Sequence, residues 1–268
     1  MFVPFISKRS PESSKQLFKR KGGGGRGGAR GGGGGSSGSA RSSPVSVAGT
    51  SKSATVGGNG GGAPITIPAG QPFAGSTAGG GTRAQVYGSR SYTPTPSGFP
   101  FYFWPLAWGG AAGYGYGRYN DQNRPGGVMT FADFPSSSQN TTFRLLADKE
   151  SVDALLPEIQ ADCSSMYNTS SSAANSWNET LTAPQIEQVI QYYRDNSIAL
   201  TLDGFNTTGN PDAPLPSNID TGLLNCLNTT IGEAAPLIDA ASLRWAAPPN
   251  VGIAGLVLVI WHLSSSLI

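Results

Sequence analysis

VMTFADFPSSSQNTTFRLLADKESVDALLPEIQADC, residues 128–163, is where the chain first commits to regular structure. VMTFAD (128–133) and TFRLLA (142–147) read as strands, and the turn-rich FPSSSQN between them suits a hairpin. Asp148 then stands where a helix N-cap belongs. Val152, Leu155, Leu156, Ile159 and Cys163 recur at helical spacing on one face. Pro157 lies inside that stretch and predicts a kink or a split, because its ring removes a hydrogen-bond donor.

Downstream, Thr182-Ala183-Pro184-Gln185 fits a capping box, with Ile186, Val189, Ile190 and Tyr193 on one face of a second helix. SIALTLD (197–203) reads as a strand ending at Gly204. Asp220 caps a third helix carrying Leu223, Leu224, Leu227 and Ile231, closed by Gly232. The expected order is β-β-α-α-β-α. It predicts a small α+β domain over 127–240, with three helices on one face of a mostly antiparallel sheet of three strands.

Upstream the composition changes. Of 38 glycines, 32 precede residue 128, and residues 1–100 hold 12 Lys/Arg against one acid, Glu12. Residues 101–268 hold 6 Lys/Arg against 15 acids, so the net +2 joins two unlike halves and says nothing about partners. Residues 22–38, GGGGRGGARGGGGGSSG, have almost no apolar side chains to offset about 1–2 kcal/mol per residue of ordering entropy. Disorder is expected over 1–65, with PITIPAG (64–70) as a short extended piece, and an extended aromatic and glycine-rich segment over 66–126. Arg26 and Arg30 head RGG triplets, but no aromatic lies between Phe18 and Phe73. That favours a spacer and argues against nucleic acid as the partner.

FPFYFWPLAWGGAAGYGYG (99–117) is the aromatic block. Phe101, Phe103, Trp104 and Trp108 either form a platform for a glycan, lipid surface or partner, or pack on the following domain as an arm. Packing is the expectation.

Several chemistries are excluded. The only histidine, His262, sits in the apolar C-terminal tail, away from any Ser-His-Asp or His-zinc arrangement. Two cysteines cannot make a four-thiolate site, and no glycine run has the strand-then-helix context of a phosphate loop. No metal, cofactor or catalytic residue is expected. Asp148, Glu150, Asp153 and Asp203 are read as caps and solvated charges, with a carboxylate-dependent hydrolase as the alternative.

Cys163 and Cys226 meet if the first and third helices are neighbours; otherwise they are free thiols of a reduced compartment. Five Asn-X-Ser/Thr sequons, at Asn140, Asn168, Asn178, Asn206 and Asn228, exceed the roughly two expected by chance and favour a secreted glycoprotein. Asn228, on a predicted helix, fits least well. The tail VGIAGLVLVIWHLSSSLI (251–268) follows small residues and an eight-residue spacer, LRWAAPPN. It fits a GPI signal with Ala241 or Ser242 as the attachment residue, and a membrane helix second. The partner is then the membrane, through residues 241–268, with cell-wall polysaccharide as the other candidate. MFVPFISKRS has too short an apolar run for a secretory leader, so the expectation is that the true leader lies upstream of this start.

QPFAGSTAGGGTRAQVYGSR (71–90), GFPFYFWPLAWGGAAG (98–113), NRPGG (123–127), YYRDNSIALTLDGFN (192–206) and LPSNIDTGLLNCLNTTIG (215–232) cover about a third of the chain. They resemble a family of proteins from mushroom-forming (basidiomycete) fungi that carries no assigned activity. The resemblance implies a leader peptide, a glycine-rich segment, an aromatic block, a small cysteine-containing domain and an apolar tail. The expected protein is a fungal cell-surface or wall glycoprotein with a structural or adhesive role.

Overall fold

The computed structural model describes residues 41–47, 50–70, 73–92, 101, 106, 108, 118–122, 124–180, 182–208, 210 and 212–239. Along the chain, β1 (Ser42–Val47), β2 (Thr50–Thr55), β3 (Ile65–Thr66) and β4 (Thr77–Ala78) precede β5 (Met129–Pro135) and β6 (Thr142–Asp148). α1 (Lys149–Cys163) follows at once. β7 (Ala174–Ser176), β8 (Val189–Tyr193) and β9 (Ile198–Leu202) then lead into α2 (Thr221–Ala234) and β10 (Leu237–Ile238). The class is α+β, as expected.

The centre is an antiparallel sheet in the order β7-β5-β6-β9-β8. One face carries Ala132, Phe134, Phe143, Leu145, Ile198 and Leu200 against Val152, Leu155 and Ile159 of α1 and Leu223, Leu227 and Ile231 of α2. The opposite face carries Met129, Leu146, Val189, Tyr192 and Ala199 against Leu106, Trp108, Trp177 and Ala183. Burial on both faces explains why Leu145 and Leu146 are both fully enclosed although they point in opposite directions.

The hairpin and both of its strands lie where the alternation puts them. α1 opens on Asp148, whose Oδ1 accepts from the Ser151 N–H at 3.0 Å. It runs through Pro157 without a break. The carbonyl that loses its donor, four residues back at Asp153, is on the exposed side, where water serves it. α2 is capped by Asp220, which accepts from Leu223 N–H at 2.9 Å.

Three expectations are corrected. The helix from Thr182 to Tyr193 is instead a short 3-10 turn, Ile186–Gln188, followed by strand β8. Val189-Ile-Gln-Tyr-Tyr is rich in β-branched and aromatic residues. Its register shifts between Val189 and Gln191 and it is buried on both faces, so the apolar spacing imitates a helix. The described helices therefore number two, and from β5 onward the order is β-β-α-β-β-β-α-β.

Secondly, disorder does not extend to residue 65. β1 and β2 pair as an antiparallel hairpin, and β10 adds to β2 through Leu237↔Thr55 and Ile238↔Ala54. Ser-rich strands of small residues hide this pairing, whose partner lies far along the chain. Thirdly, Ala54, Ile67, Ala78 and Val86 share the helical-face core, so among the described residues 127 is not a domain boundary. The tail 241–268, with Ala241 and Ser242, lies outside the described residues; no helix among the described residues is long and apolar enough to cross a membrane.

Candidate functional site

The most tightly built polar group lies at the end of the sheet where β6 runs into α1. Arg194 starts the four-residue turn joining β8 to β9, at φ 52°, and is fully buried. Its Nε donates to Ser197 Oγ at 2.8 Å and Nη1 to the Pro236 carbonyl at 3.0 Å. Nη2 donates to Ser151 Oγ at 2.8 Å and to Asp148 Oδ2 at 3.2 Å. One guanidinium thus joins the start of α1, the β8–β9 turn and the approach to β10. Burial pushes the Asp148 carboxyl up to about 6, against the pull of Arg194, Ser151 and Arg124. Burial likewise lowers Arg124 to about 10, with Asp148 opposing. With no exposure at either Asp148 or Arg194, this cluster ties α1, the β8–β9 turn and the approach to β10 together inside the fold.

Asp133, Asp153, Asp203 and Asp220 are also committed to partners. Asp153 pairs with Lys149 one helical turn away. Asp203 and Asp133 flank Arg144 at 3.1 and 2.9 Å, tying β5, β6 and the end of β9. Asp133 is raised by burial, with Arg144 opposing. Asp220 Oδ2 accepts from Ser136 Oγ at 2.6 Å and Ser138 Oγ at 2.9 Å, and the Ser136 bond leads in holding its carboxyl below the usual range. Among the described residues no group of three or more His, Cys, Asp or Glu is placed to hold a metal ion.

The aromatic candidates divide. Phe101 is buried in the helical-face core, so close to Gly81 that an added Cβ there would lie 2.4 Å from its ring. Trp108 is buried on the other face, edge-on to Trp177 at 6.2 Å, with Tyr119 edge-on to Trp177 at 4.9 Å. Phe101 and Trp108 are packed, as expected, so neither stands as an exposed binding platform; apolar burial outweighs display for rings beside an open sheet face. Phe103 and Trp104 lie outside the described residues.

Cys163, the last residue of α1, and Cys226 of α2 form a disulfide across the two helices, with Cα atoms 5.9 Å apart. Closing a 63-residue separation removes loop entropy worth about 4 kcal/mol from the unfolded chain. The sequons also separate. Asn140, Asn168, Asn178 and Asn206 are exposed on loops. Asn228 is half-buried on α2, where its Oδ1 accepts from the Tyr193 hydroxyl at 2.7 Å and its carbonyl from the Tyr87 hydroxyl at 3.0 Å.

An open groove of about 590 Å³ lies beside the β1–β2 hairpin. Ser51, Lys52, Ser53 and Asp239 supply polar groups to its lining, together with Gly79 and Gly80. Asp239 Oδ1 accepts from the Gly60 N–H at 2.8 Å, and Gly58 sits so near that an added Cβ would lie 2.5 Å from the carboxylate. Sequence reasoning missed this groove and the Arg194 cluster. The one local signal was Arg194-Asp-Asn-Ser directly after an apolar run, a turn composition that the helical spacing outvoted. Compared with protein-family models, curated proteins and solved structures, the chain matches none.

Proposed function

We propose that the folded part is an extracytoplasmic glycoprotein module with a structural or adhesive role at a fungal cell surface or wall, tethered through residues 241–268. The Cys163–Cys226 disulfide is the observation that carries this reading, because such bonds persist in oxidising compartments. The loop positions of four sequons support it, since a glycan needs an exposed asparagine amide. The commitment of Asp148, Asp153, Asp203 and Asp220 to caps and ion pairs weighs against the hydrolase alternative.

The test is expression in a fungal secretory host. The expected result is a surface protein released by phospholipase, shortened in mass by glycosidase, and showing no free thiol when denatured without reductant. Two free thiols and no mass change would overturn the reading.

A second reading, a binding module for a hydroxyl-rich ligand, rests on the groove beside β1–β2. Titration with soluble wall oligosaccharides should then saturate and weaken on Asp239→Asn; no saturation removes it.

A further inference from the structure

Resting on the glycoprotein reading, we propose that the folded protein carries N-linked glycans at Asn140, Asn168, Asn178 and Asn206 and none at Asn228, and that three of those glycans crowd the pole opposite the C-terminal exit. The co-reactant is a lipid-pyrophosphate-linked oligosaccharide. In the transfer the asparagine Nδ2 bonds to the anomeric carbon, the bond from that carbon to the pyrophosphate oxygen breaks, the lipid pyrophosphate leaves as an anion, and one amide proton passes to a base of the transferase. The amide and the hydroxyl two residues on must be presented together.

At three sequons the fold presents them so. Asn168 Oδ1 accepts from the Ser170 N–H at 3.1 Å, Asn178 from Thr180 at 3.2 Å and Asn206 from Thr208 at 2.7 Å. Each bond folds the hydroxyl residue back onto its asparagine and leaves Nδ2 to solvent. Asn140 is exposed in the β5–β6 turn.

Asn228 differs in every respect. On a helix, residues two apart point about 200° from each other. Thr230 is buried and its hydroxyl donates to Asp162 Oδ2 at 3.1 Å, on the α1 side. Asn228 itself receives the Tyr193 hydroxyl, and Tyr87 lies along α2 so closely that a Cβ on Gly232 would sit 2.0 Å from its oxygen. A sugar on Asn228 would have to break the bond from the fully buried Tyr193 hydroxyl to the side-chain amide and push the half-exposed Tyr87 aside. A chain modified there before folding therefore fails to reach the state described, and the folded population carries a bare Asn228.

The polar arrangement follows from the topology. Asn168 N–H bonds the Pro135 carbonyl at the end of β5, and Asp203 N–H bonds Thr142 at the start of β6. These bonds bring Asn168 and Asn206 to the pole that holds Asn140. α2 starts at this same pole, through Asp220 and Ser136, and its 14 residues carry the chain about 20 Å away. There Pro236 meets Arg194 and the described chain leaves at Asp239. Asn178 follows β7, on the exit side, since Trp177 N–H bonds the Met129 carbonyl at the start of β5.

The test uses the full chain, secreted from a eukaryotic host and purified as the disulfide-bonded fraction. Amidase release of N-glycans in heavy-oxygen water, followed by peptide mass spectrometry, should label Asn140, Asn168, Asn178 and Asn206 and leave Asn228 as asparagine. Label at Asn228 together with the others overturns this proposal while the glycoprotein reading stands. Label at none of the five overturns both. As a second measurement, Asn168→Gln should remove one glycan mass, whereas Thr230→Ser, which keeps the sequon and the hydroxyl, should leave the glycoform unchanged; a gain of one glycan in Thr230→Ser overturns the proposal.

Discussion

The two faces of the central sheet are covered by different kinds of structure. One carries α1 and α2, regular helices stapled together by Cys163–Cys226. The other carries Leu106, Trp108 and Trp177, single large side chains from segments with no regular element at those positions. Both faces are equally dry, for Phe143 on one and Leu146 on the other are fully buried. A sheet face thus needs apolar area above it, not a periodic element, and a few aromatics supply that area as well as a helix does. The two coverings are predicted to differ in what holds them.

Arg194 belongs to both, because it ties the start of α1 to the β8–β9 turn and to Pro236. Arg194→Ala should cost the most, about 5 kcal/mol in urea unfolding, since it leaves the Asp148 carboxylate buried without its cation. A loss under about 1 kcal/mol would show that water enters and replaces the guanidinium. On the aromatic face, Trp108→Ala should cost about 4 kcal/mol through the cavity it opens beside Trp177. On the helical face, Cys163→Ala with Cys226→Ala should cost at most about 4 kcal/mol, and reductant should then have no effect on the variant's midpoint. If reductant weakens the aromatic face as much as the helical face, as read by tryptophan fluorescence, the two coverings unfold as one unit.

The faces also differed in how much of them could be read from the residues. β5, β6 and α1 were legible because the alternation, the Asp148 cap and the helical spacing are all local. β8 was not, because burial on both faces and a register shift erase the two-residue period. The β1–β2 hairpin was hidden by its serine content and by pairing with β10, which places Thr55 opposite Leu237. Of the site features, the disulfide was legible in outline, since both cysteines fell on apolar helix faces. The Arg194–Asp148 pair spans 46 residues and the contact of Tyr87 with Asn228 spans 141, distances at which spacing carries no signal. Charged residues at turns read as solvated, and only the fold can show that one is enclosed.

The buried pair has a pH signature with a definite sign. Asp148 titrates near 6 in the folded state, against 3.8 ordinarily. A raised carboxyl gives stability that is full below pH 4 and is lost as pH rises through about 6, a change of about 3 kcal/mol. Asp148→Asn has no such change. The stability gap between wild type and variant should therefore narrow between pH 4 and pH 7. A gap that widens over that window would mean the Arg194 attraction outweighs burial and the carboxyl is depressed.

The smallest effect is expected at Gly232, buried on α2 beneath Tyr87. Its residue type suggested a helix stop, yet α2 continues to Ala234, so the glycine answers a different need. An added Cβ would lie 2.0 Å from the Tyr87 hydroxyl oxygen and 2.1 Å from Cζ, distances no folded side chain tolerates. Tyr87 is 48% exposed and sits at the end of a rotatable side chain, so it can swing away. Gly232→Ala would then lose the hydrogen bond to the Asn228 carbonyl and the tilted contact with Tyr193 at 5.6 Å. Those losses are about 1–2 kcal/mol, and alanine returns about 1 kcal/mol of helix propensity. The net change in urea unfolding should stay within about 1 kcal/mol, while tyrosine ring signals show Tyr87 released to solvent. A loss above about 2 kcal/mol would mean that Tyr87 is held in place by more than these contacts. In that case the glycine is required by the packing of the 83–89 segment on α2 as a whole, and the helical face has a second layer of covering that the aromatic face lacks.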